Sequence, residues 1–364
     1  MKKVHIIGTG ISGMGAAKAA MRLGCDVSVF NGDNYWERRE IFDADEVVVS
    51  PGIRIDEAKL PDGWRRPISE IEYAFINSKC RWIAVTGSVG KSTVCSMINA
   101  IFDNTTIPHA LCGNIGFSAA ERAPLLPENG VAICEVSSFQ LETTRTFKPD
   151  VAVLLNIYPN HLDRHNTMEE YRNIKHKIFE NMGTNGLKLR YCDNITAVMA
   201  AAVYFGIAKE TIKDAVTKFQ GLEHRMEYCG SLGGIDFFND SKATTCQSVV
   251  SAVSRFGRKS VHLIVGGRDK GVPFEPYKDL IMKKCKKVYA IGEASGKIKN
   301  AWGKSVVECG TLETAVKEIM GNVKEGESVL LSPACASFDQ YKNFEERGIR
   351  FKELVKEIIN EGQR

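Results

Sequence analysis

Thr86-Gly87-Ser88-Val89-Gly90-Lys91-Ser92-Thr93 is the segment whose residue types most plainly suit chemistry. An apolar run, Arg81 to Val85, precedes it as a strand, and a helix carrying Met97, Ile98 and Ile101 follows. The G-x-x-G-K-S-T spacing is tighter than the common phosphate loop, yet its parts serve the same physics. Backbone N–H groups cup phosphate oxygens, Lys91 neutralises their charge, and the hydroxyl of Ser92 or Thr93 takes Mg2+. Gly87, Gly90, Lys91, Ser92 and Thr93 are therefore expected to bind nucleotide phosphate. Metal-competent groups follow where the next two strands end: Glu135 after Val131 to Cys134, and His161 a short loop after Val151 to Leu155. At the carboxyl edge of one parallel sheet, both would approach the same phosphates and hold Mg2+. Asp163, Arg164 and His165 carry no assignment of their own, and His165 reads as readily solvent-facing as not.

Three further segments carry polar groups at strand ends. Asn239-Asp240-Ser241-Lys242-Ala243-Thr244 follows Ile235 to Phe238, and Gly266-Gly267-Arg268-Asp269-Lys270-Gly271 follows Val261 to Val265. Both suit a second anionic substrate. Ser332 to Ser337 is read as a loop of small residues able to bring N–H groups to a carboxylate; the sequence shows no obvious base to pair with Cys335 within it, so a covalent thiol mechanism is not expected. Near the start, Gly8, Gly10 and Gly13 form G-x-G-x-x-G between a strand and a helix. That pattern fits a dinucleotide, another phosphate-bearing ligand or a tight structural turn, and Asn31 stands where a dinucleotide site would want an acid.

The elements that must position these groups repeat one theme, an apolar strand closed by glycine and followed by a helix, which is α/β architecture. Strands are expected at Val4 to Ile7, Asp26 to Phe30 and Glu46 to Val49, then at Arg81, Val131 and Val151, with helices over Ile195 to Phe205 and Lys209 to Phe219. A hairpin around Gly233-Gly234, strands at Val261 to Val265, Lys287 to Ile291 and Ser328 to Leu331, and a closing helix from Phe351 to about Ile359 complete the reading. Three domains result: a Rossmann-like 1–78, a phosphate-loop domain 79–222 and a second Rossmann-like domain 223–364. The chain has 364 residues, 44% hydrophobic and 25% charged, with a net charge of +4. That composition excludes a disordered chain, and without a basic stripe it gives no support to nucleic-acid binding. Eleven scattered cysteines without a CxxC pair read as reduced thiols of a cytoplasmic protein, and no eighteen-residue apolar run or leader-like start suggests membrane insertion or export.

Taken together, the segments resemble the Mur ligase family, on its D-glutamate-adding branch. The resemblance rests on TGSVGKST (86–93), GNIG (113–116), EVSSFQLE (135–142), LNIYPNHLDRH (155–165) and YRNIKHKIF (171–179). It continues through GLEHRME (221–227), NDSKATT (239–245), VGGRDKG (265–271) and LSPACASFDQYKNFEERG (331–348). It implies a three-domain fold and an ATP-dependent amide ligase of peptidoglycan precursor synthesis, a cytoplasmic monomer whose substrates are UDP-N-acetylmuramoyl-L-alanine and D-glutamate. By that resemblance Lys91, His161, Lys175 and Lys242 are catalytic, Lys175 in carbamylated form. Ser92, Glu135, His161 and Lys175 serve Mg2+. Asn194, Arg225, Asp240 and Asp269 join the phosphate loop around ATP. Ile11, Ser12 and Asn114 contact the nucleotide-sugar substrate, and Thr244, Lys270, Ser337 and Phe344 form the D-glutamate pocket. An acyl phosphate would form on the first substrate and be attacked by the amine of the second, with domain closure excluding water.

Departures from the family pattern are specific. Asn160 replaces an acid before His161, Asn31 replaces a uridine-side Asp, and of the adenine-side H-N-x-x-N only Asn194 remains in Asp193 to Ala197. Seventeen residues separate Lys175 from Asp193, several strands fewer than the family carries, and Glu180 to Tyr191 is too short to replace them. The first domain is short as well. A ligase for another carboxylate, or a nucleotide-binding regulatory or scaffold protein without turnover, stays open beside the D-glutamate ligase.

Overall fold

A computed structural model describes residues 1–32, 43–55, 66–219, 221–269, 271 and 273–362, without the side chains of 162 and 163. By internal contacts the chain divides into two compact units, residues 1–219 and 220–364.

The first unit holds two parallel sheets. Strands β1 (Lys3–Ile7), β2 (Asp26–Phe30), β3 (Glu46–Val49) and β4 (Ile68–Ser69) pair in the order β2-β1-β3-β4. β1 lies between neighbours on both sides and is buried from Val4 to Ile7, with Val4, Ile6 and Ile7 its apolar residues and Lys3 exposed at its start. The Gly8–Gly13 turn is a close-packing device: a Cβ at Gly13 would lie 2.0 Å from the Gly8 carbonyl oxygen, whereas one at Gly10 would meet nothing. The helix Ile11–Arg22 then buries Ala16, Ala17, Ala19 and Ala20, whose small side chains let it lie close to its neighbours.

The second sheet runs β6 (His109–Gly113), β7 (Val131–Glu135), β5 (Arg81–Thr86), β8 (Val151–Leu154) and β9 (Leu187–Arg190) in that spatial order, all parallel. Period-two alternation in β5 feeds two cores. Ile83 and Val85 join the core under the helices Lys91–Phe102 and Asn194–Tyr204, while Trp82 and Ala84 join a core shared with Ala16, Ala20 and Ile71 of the first sheet's helices. That shared core is why residues on both sides of position 78 fall in one unit. Glu180 to Tyr191 supplies one strand, β9, which was not foreseen; nor were the edge strand β6 and the two-residue β4. Edge strands such as LKLR carry little apolar signal because one side meets no partner.

The second unit is one sheet, ordered β10 (Glu227–Leu232), β11 (Ile235–Asn239), β15 (Ser328–Ala334), β12 (Val261–Gly266), β13 (Cys285–Ile291) and β14 (Val306–Gly310). The expected hairpin is β10 and β11, turning at Gly233 and Gly234 with φ of 56° and 75°; the other pairs are parallel. Two readings are corrected here. β15 continues through Ser332, Pro333 and Ala334, so the small-residue loop begins only at Cys335, and the closing helix starts earlier, at Phe344–Gly362. Among the described residues, no helix is long and apolar enough to cross a membrane.

Trp82 anchors the core shared by the first two sheets, meeting Phe147 and Phe75 edge-on at 5.6 and 6.1 Å between ring centroids. Trp82→Ala should lower the stability of the first unit by about 3–5 kcal/mol through the cavity it leaves. Urea unfolding followed by circular dichroism checks this, and an unchanged midpoint would refute it.

Candidate active site

β5 ends at Thr86, and the chain turns through Gly87 and Gly90, at φ of 151° and 94°, into the helix Lys91–Phe102. Only glycine takes such angles without strain. At Gly90 a side chain would also collide with Asn194, whose Oδ1 would lie 2.8 Å from its Cβ. Asn194 reaches the loop because Asp193 caps its helix, accepting from the Thr196 N–H at 2.9 Å. Asp193, which departs from the adenine-side pattern, thus has a local structural task.

Asn156, just beyond β8, clamps the loop. Its Oδ1 accepts from the Val89 N–H and its Nδ2 donates to the Val89 carbonyl, both at 2.9 Å, while its own carbonyl accepts from the Ser88 N–H at 3.0 Å. The N–H groups of Ser88 and Val89 are therefore committed to protein. The expected phosphate cup is narrowed to the start of the Lys91–Phe102 helix, where the first N–H groups find no partner within the helix. Lys91 lies along the loop, donating to the carbonyls of Gly87 at 2.9 Å and Ser88 at 3.3 Å.

Pairing of Val85 with Glu135 across β5 and β7 puts the carboxylate beside the loop. Glu135 is 2% exposed, accepts from the Ser92 hydroxyl on Oε2, and accepts from Asn114 Nδ2 at 2.8 Å on Oε1. Ser92, Glu135 and Asn114, drawn from three sequence segments, thus meet. Lys175 meets the loop from the other side. It is 1% exposed, and its Nζ donates to the Gly87 carbonyl at 3.0 Å and the Thr86 hydroxyl at 3.3 Å, 4.8 Å from the centre of the Tyr171 ring. Burial, then the charge of Lys91, push this amine well below the usual lysine range, against the opposing pull of Glu135.

His161 is exposed with φ of 55°, its ring 4.8 Å from that of Phe139. His165 is not solvent-facing. It is 1% exposed and hydrogen-bonded through Nε2 to Ser138 Oγ at 2.9 Å, because the turn that exposes His161 directs the following helical turn inward. Arg164 ties Glu142 to the carbonyls of Pro51 and Ile53 at 2.9 and 3.1 Å. Ile11, 78% exposed, and half-buried Ser12 open the helix after the glycine turn, and Asn31 is exposed.

For Mg2+, the hydroxyl of Ser92 and the carboxylate of Glu135 are the hard oxygen donors that ion prefers. Among the described residues no cluster of three or more His, Cys, Asp or Glu could hold a metal. That sparse donor set fits an ion that keeps several waters and takes phosphate oxygens.

In the second unit Asp240 is buried, accepting from Ser332 Oγ at 2.9 Å and the Met226 N–H at 3.2 Å. Burial pushes its carboxyl up to about 6 against those hydrogen bonds. Lys242 Nζ stands 5.0 Å from the centre of the Phe344 ring, and Asp269 is paired with Lys297 at 2.9 Å. Thr244 and Arg225 are half-buried, and Ser337 is buried at the turn after β15. Lys270 lies outside the described residues.

Two residues that hold these parts were not singled out from the sequence. Asn156 left no periodic signal. Arg347 did, as a charge on the same helical face as Phe351, Leu354 and Val355, all buried.

Asn156→Ala should weaken Mg·ATP binding about tenfold by freeing the loop, with the fold intact. Calorimetric titration checks it; unchanged affinity would show that the loop holds itself. Asp240 carries a pH signature. Its folded pKa lies above the unfolded value, so its favourable contribution is complete below the unfolded pKa and is lost as pH rises through about 6. Relative to Asp240→Asn, the wild type should lose on the order of 1–3 kcal/mol between pH 4 and 7. Paired denaturation curves at the two pH values test the sign.

Residues 85–229 match the Mur ligase middle domain, and residues 224–335 match the Mur ligase glutamate ligase domain. The UDP-N-acetylmuramoylalanine–D-glutamate ligase of Koribacter versatilis is 32% identical, covering 99% of this chain and 98% of its own. The enzyme of the same name from Aquifex aeolicus is 34% identical, covering 97% and 98%. The Koribacter alignment spans 446 positions, so many of them are gaps in this 364-residue chain. Among solved structures, a MurF ligase from Thermotoga maritima in complex with ADP superposes with a TM-score of 0.61 at 15% identity, covering 87% of this chain and 90% of its own. The MurC ligase of Thermotoga maritima superposes at 0.59 and 16%, covering 98% and 100%. With likeness at this level running almost from end to end, the chain belongs to the Mur ligase family.

Proposed function

We propose that this ligase joins D-glutamate to UDP-N-acetylmuramoyl-L-alanine in the cytoplasm, converting ATP to ADP and phosphate through an acyl phosphate. The observation that carries the reading is the meeting of Ser92, Glu135, Asn114 and buried Lys175 around one phosphate loop. The relatives' shared name supplies the substrates. The lack of any disulfide among the cysteines suits a reducing compartment.

In this reading the substrate carboxylate attacks the γ-phosphoryl group while the N-terminus of the Lys91–Phe102 helix and Lys91 stabilise the charge that builds on the transferred oxygens. Mg2+ would supply further charge neutralisation at Ser92 and Glu135. Asn114 holds Glu135 and orients the sugar-linked substrate, with Ile11 and Ser12 at its nucleotide end. Lys175, with its amine desolvated and biased to the neutral form, is suited to carbamylation, which would turn a cation into an anion able to hold a second metal together with His161. By the family resemblance, Lys242 is assigned to the transferred phosphoryl group, and Asn194, Arg225, Asp240 and Asp269 to the nucleotide. Thr244, Lys270, Ser337 and Phe344 receive D-glutamate.

Phosphate release by the purified protein should require Mg·ATP, UDP-N-acetylmuramoyl-L-alanine and D-glutamate together, with a product heavier by one glutamyl unit. Lys91→Ala and Lys175→Ala should each cost a thousandfold or more in turnover, as expected when charge stabilisation of the phosphoryl group is removed. A small carboxylic acid should partly restore Lys175→Ala alone. Release without D-glutamate, or full activity in either variant, would overturn the assignment.

A further inference from the structure

Among the described residues, no carboxylate is hydrogen-bonded to the buried Arg347. Arg347 is 1% exposed, and all three of its nitrogens donate: Nε to Ser241 Oγ at 3.0 Å, Nη2 to the carbonyls of Ser241 at 2.9 Å and Cys335 at 3.2 Å, Nη1 to those of Ala336 at 3.4 Å and Gly266 at 3.5 Å. Buried guanidinium groups are ordinarily paired with carboxylates. Here each bonded partner is neutral, and Asp339 acts on the charge only through space. Burial lowers the group to about 10, which leaves it charged at neutral pH.

The partners are the ends of three strands. Ser241, after β11, precedes Lys242; Ala336, after β15, precedes Ser337; Gly266 closes β12 and leads to Asp269. The packing admits no slack around the fork. A Cβ at Gly267 would lie 2.2 Å from the Ala336 carbonyl oxygen and 3.1 Å from Arg347 Nη1, and one at Gly348 would lie 2.2 Å from His224 Nδ1. A planar fork with fixed donor directions is suited to holding several carbonyls at set angles, as a lysine is not.

We propose that Arg347 is a positioning residue that also sets specificity in the amino-acid half of the site. Its fork holds the three strand ends in one arrangement, and its unpaired charge favours an amino acid bearing a second carboxylate. This rests on the D-glutamate reading above.

The test is steady-state kinetics of the full chain as wild type, Arg347→Gln and Arg347→Lys, with D-glutamine as a competing amino acid. Arg347→Gln should raise KM for D-glutamate about tenfold or more and shrink the preference for D-glutamate over D-glutamine by a similar factor, with KM for ATP within about twofold. Arg347→Lys keeps the charge and loses the fork, so it should lower kcat and raise KM for D-glutamate severalfold while keeping the preference. If circular dichroism shows that Arg347→Gln does not fold, Arg347→Lys decides: a change confined to D-glutamate and kcat supports the proposal, and equal changes in every KM, or none, overturn it. An active wild type whose preference survives Arg347→Gln also overturns it. A wild type without D-glutamate-dependent turnover instead overturns the functional reading beneath it.

Discussion

Pairing of β5 with β7 on one side and β8 on the other is the constraint from which the candidate site follows. In parallel strands every carboxyl end lies at the same edge, so the turn after Thr86, the carboxylate of Glu135 and the loop that starts at Leu155 are brought together by hydrogen-bond register alone. Val85 lies opposite Glu135, and Thr86 opposite Leu154. A slip of one residue would turn Glu135 to the other face and take Asn156 away from Val89. Both faces of β5 are buried in separate cores, and that burial is what forbids the slip.

Among the described residues, the buried cations Lys175 and Arg347 are accommodated by different means. Lys175 has carbonyl and hydroxyl acceptors and a second lysine nearby, and its environment favours loss of the proton. A lysine can respond in that way because its amine has a useful neutral form. Arg347 has no such option near neutral pH, and the protein meets the cost with carbonyl and hydroxyl acceptors for all three nitrogens. The first arrangement suits an amine open to chemistry, the second a fixed brace.

The shortened middle domain still closes as a sheet. β9 pairs with β8 over four residues, and Leu187 and Leu189 face the core while Lys188 and Arg190 are exposed, so a brief strand caps the edge and carries charge there. The helix Asn194–Tyr204 follows directly and brings Asn194 to Gly90. The segment beyond Lys175 is short, yet it returns the chain to the phosphate loop.

Residue identity and local spacing determined much by themselves. The glycine, lysine and hydroxyl series marked the phosphate loop, continuous apolar runs marked the central strands, and motifs along the whole chain carried the family resemblance, because each depends on residues near one another in sequence. Edge strands β6, β9 and β14 escaped because a strand with one partner need not be apolar throughout. What only the tertiary structure decided are the long-range facts: that Asn114 meets Glu135, that Asn156 takes up N–H groups of the loop, that His165 is buried while His161 is exposed, and that Arg347 braces three strand ends. Each depends on register, on the direction of a turn or on a helical face, quantities set by packing between segments distant in the chain, which no local pattern encodes.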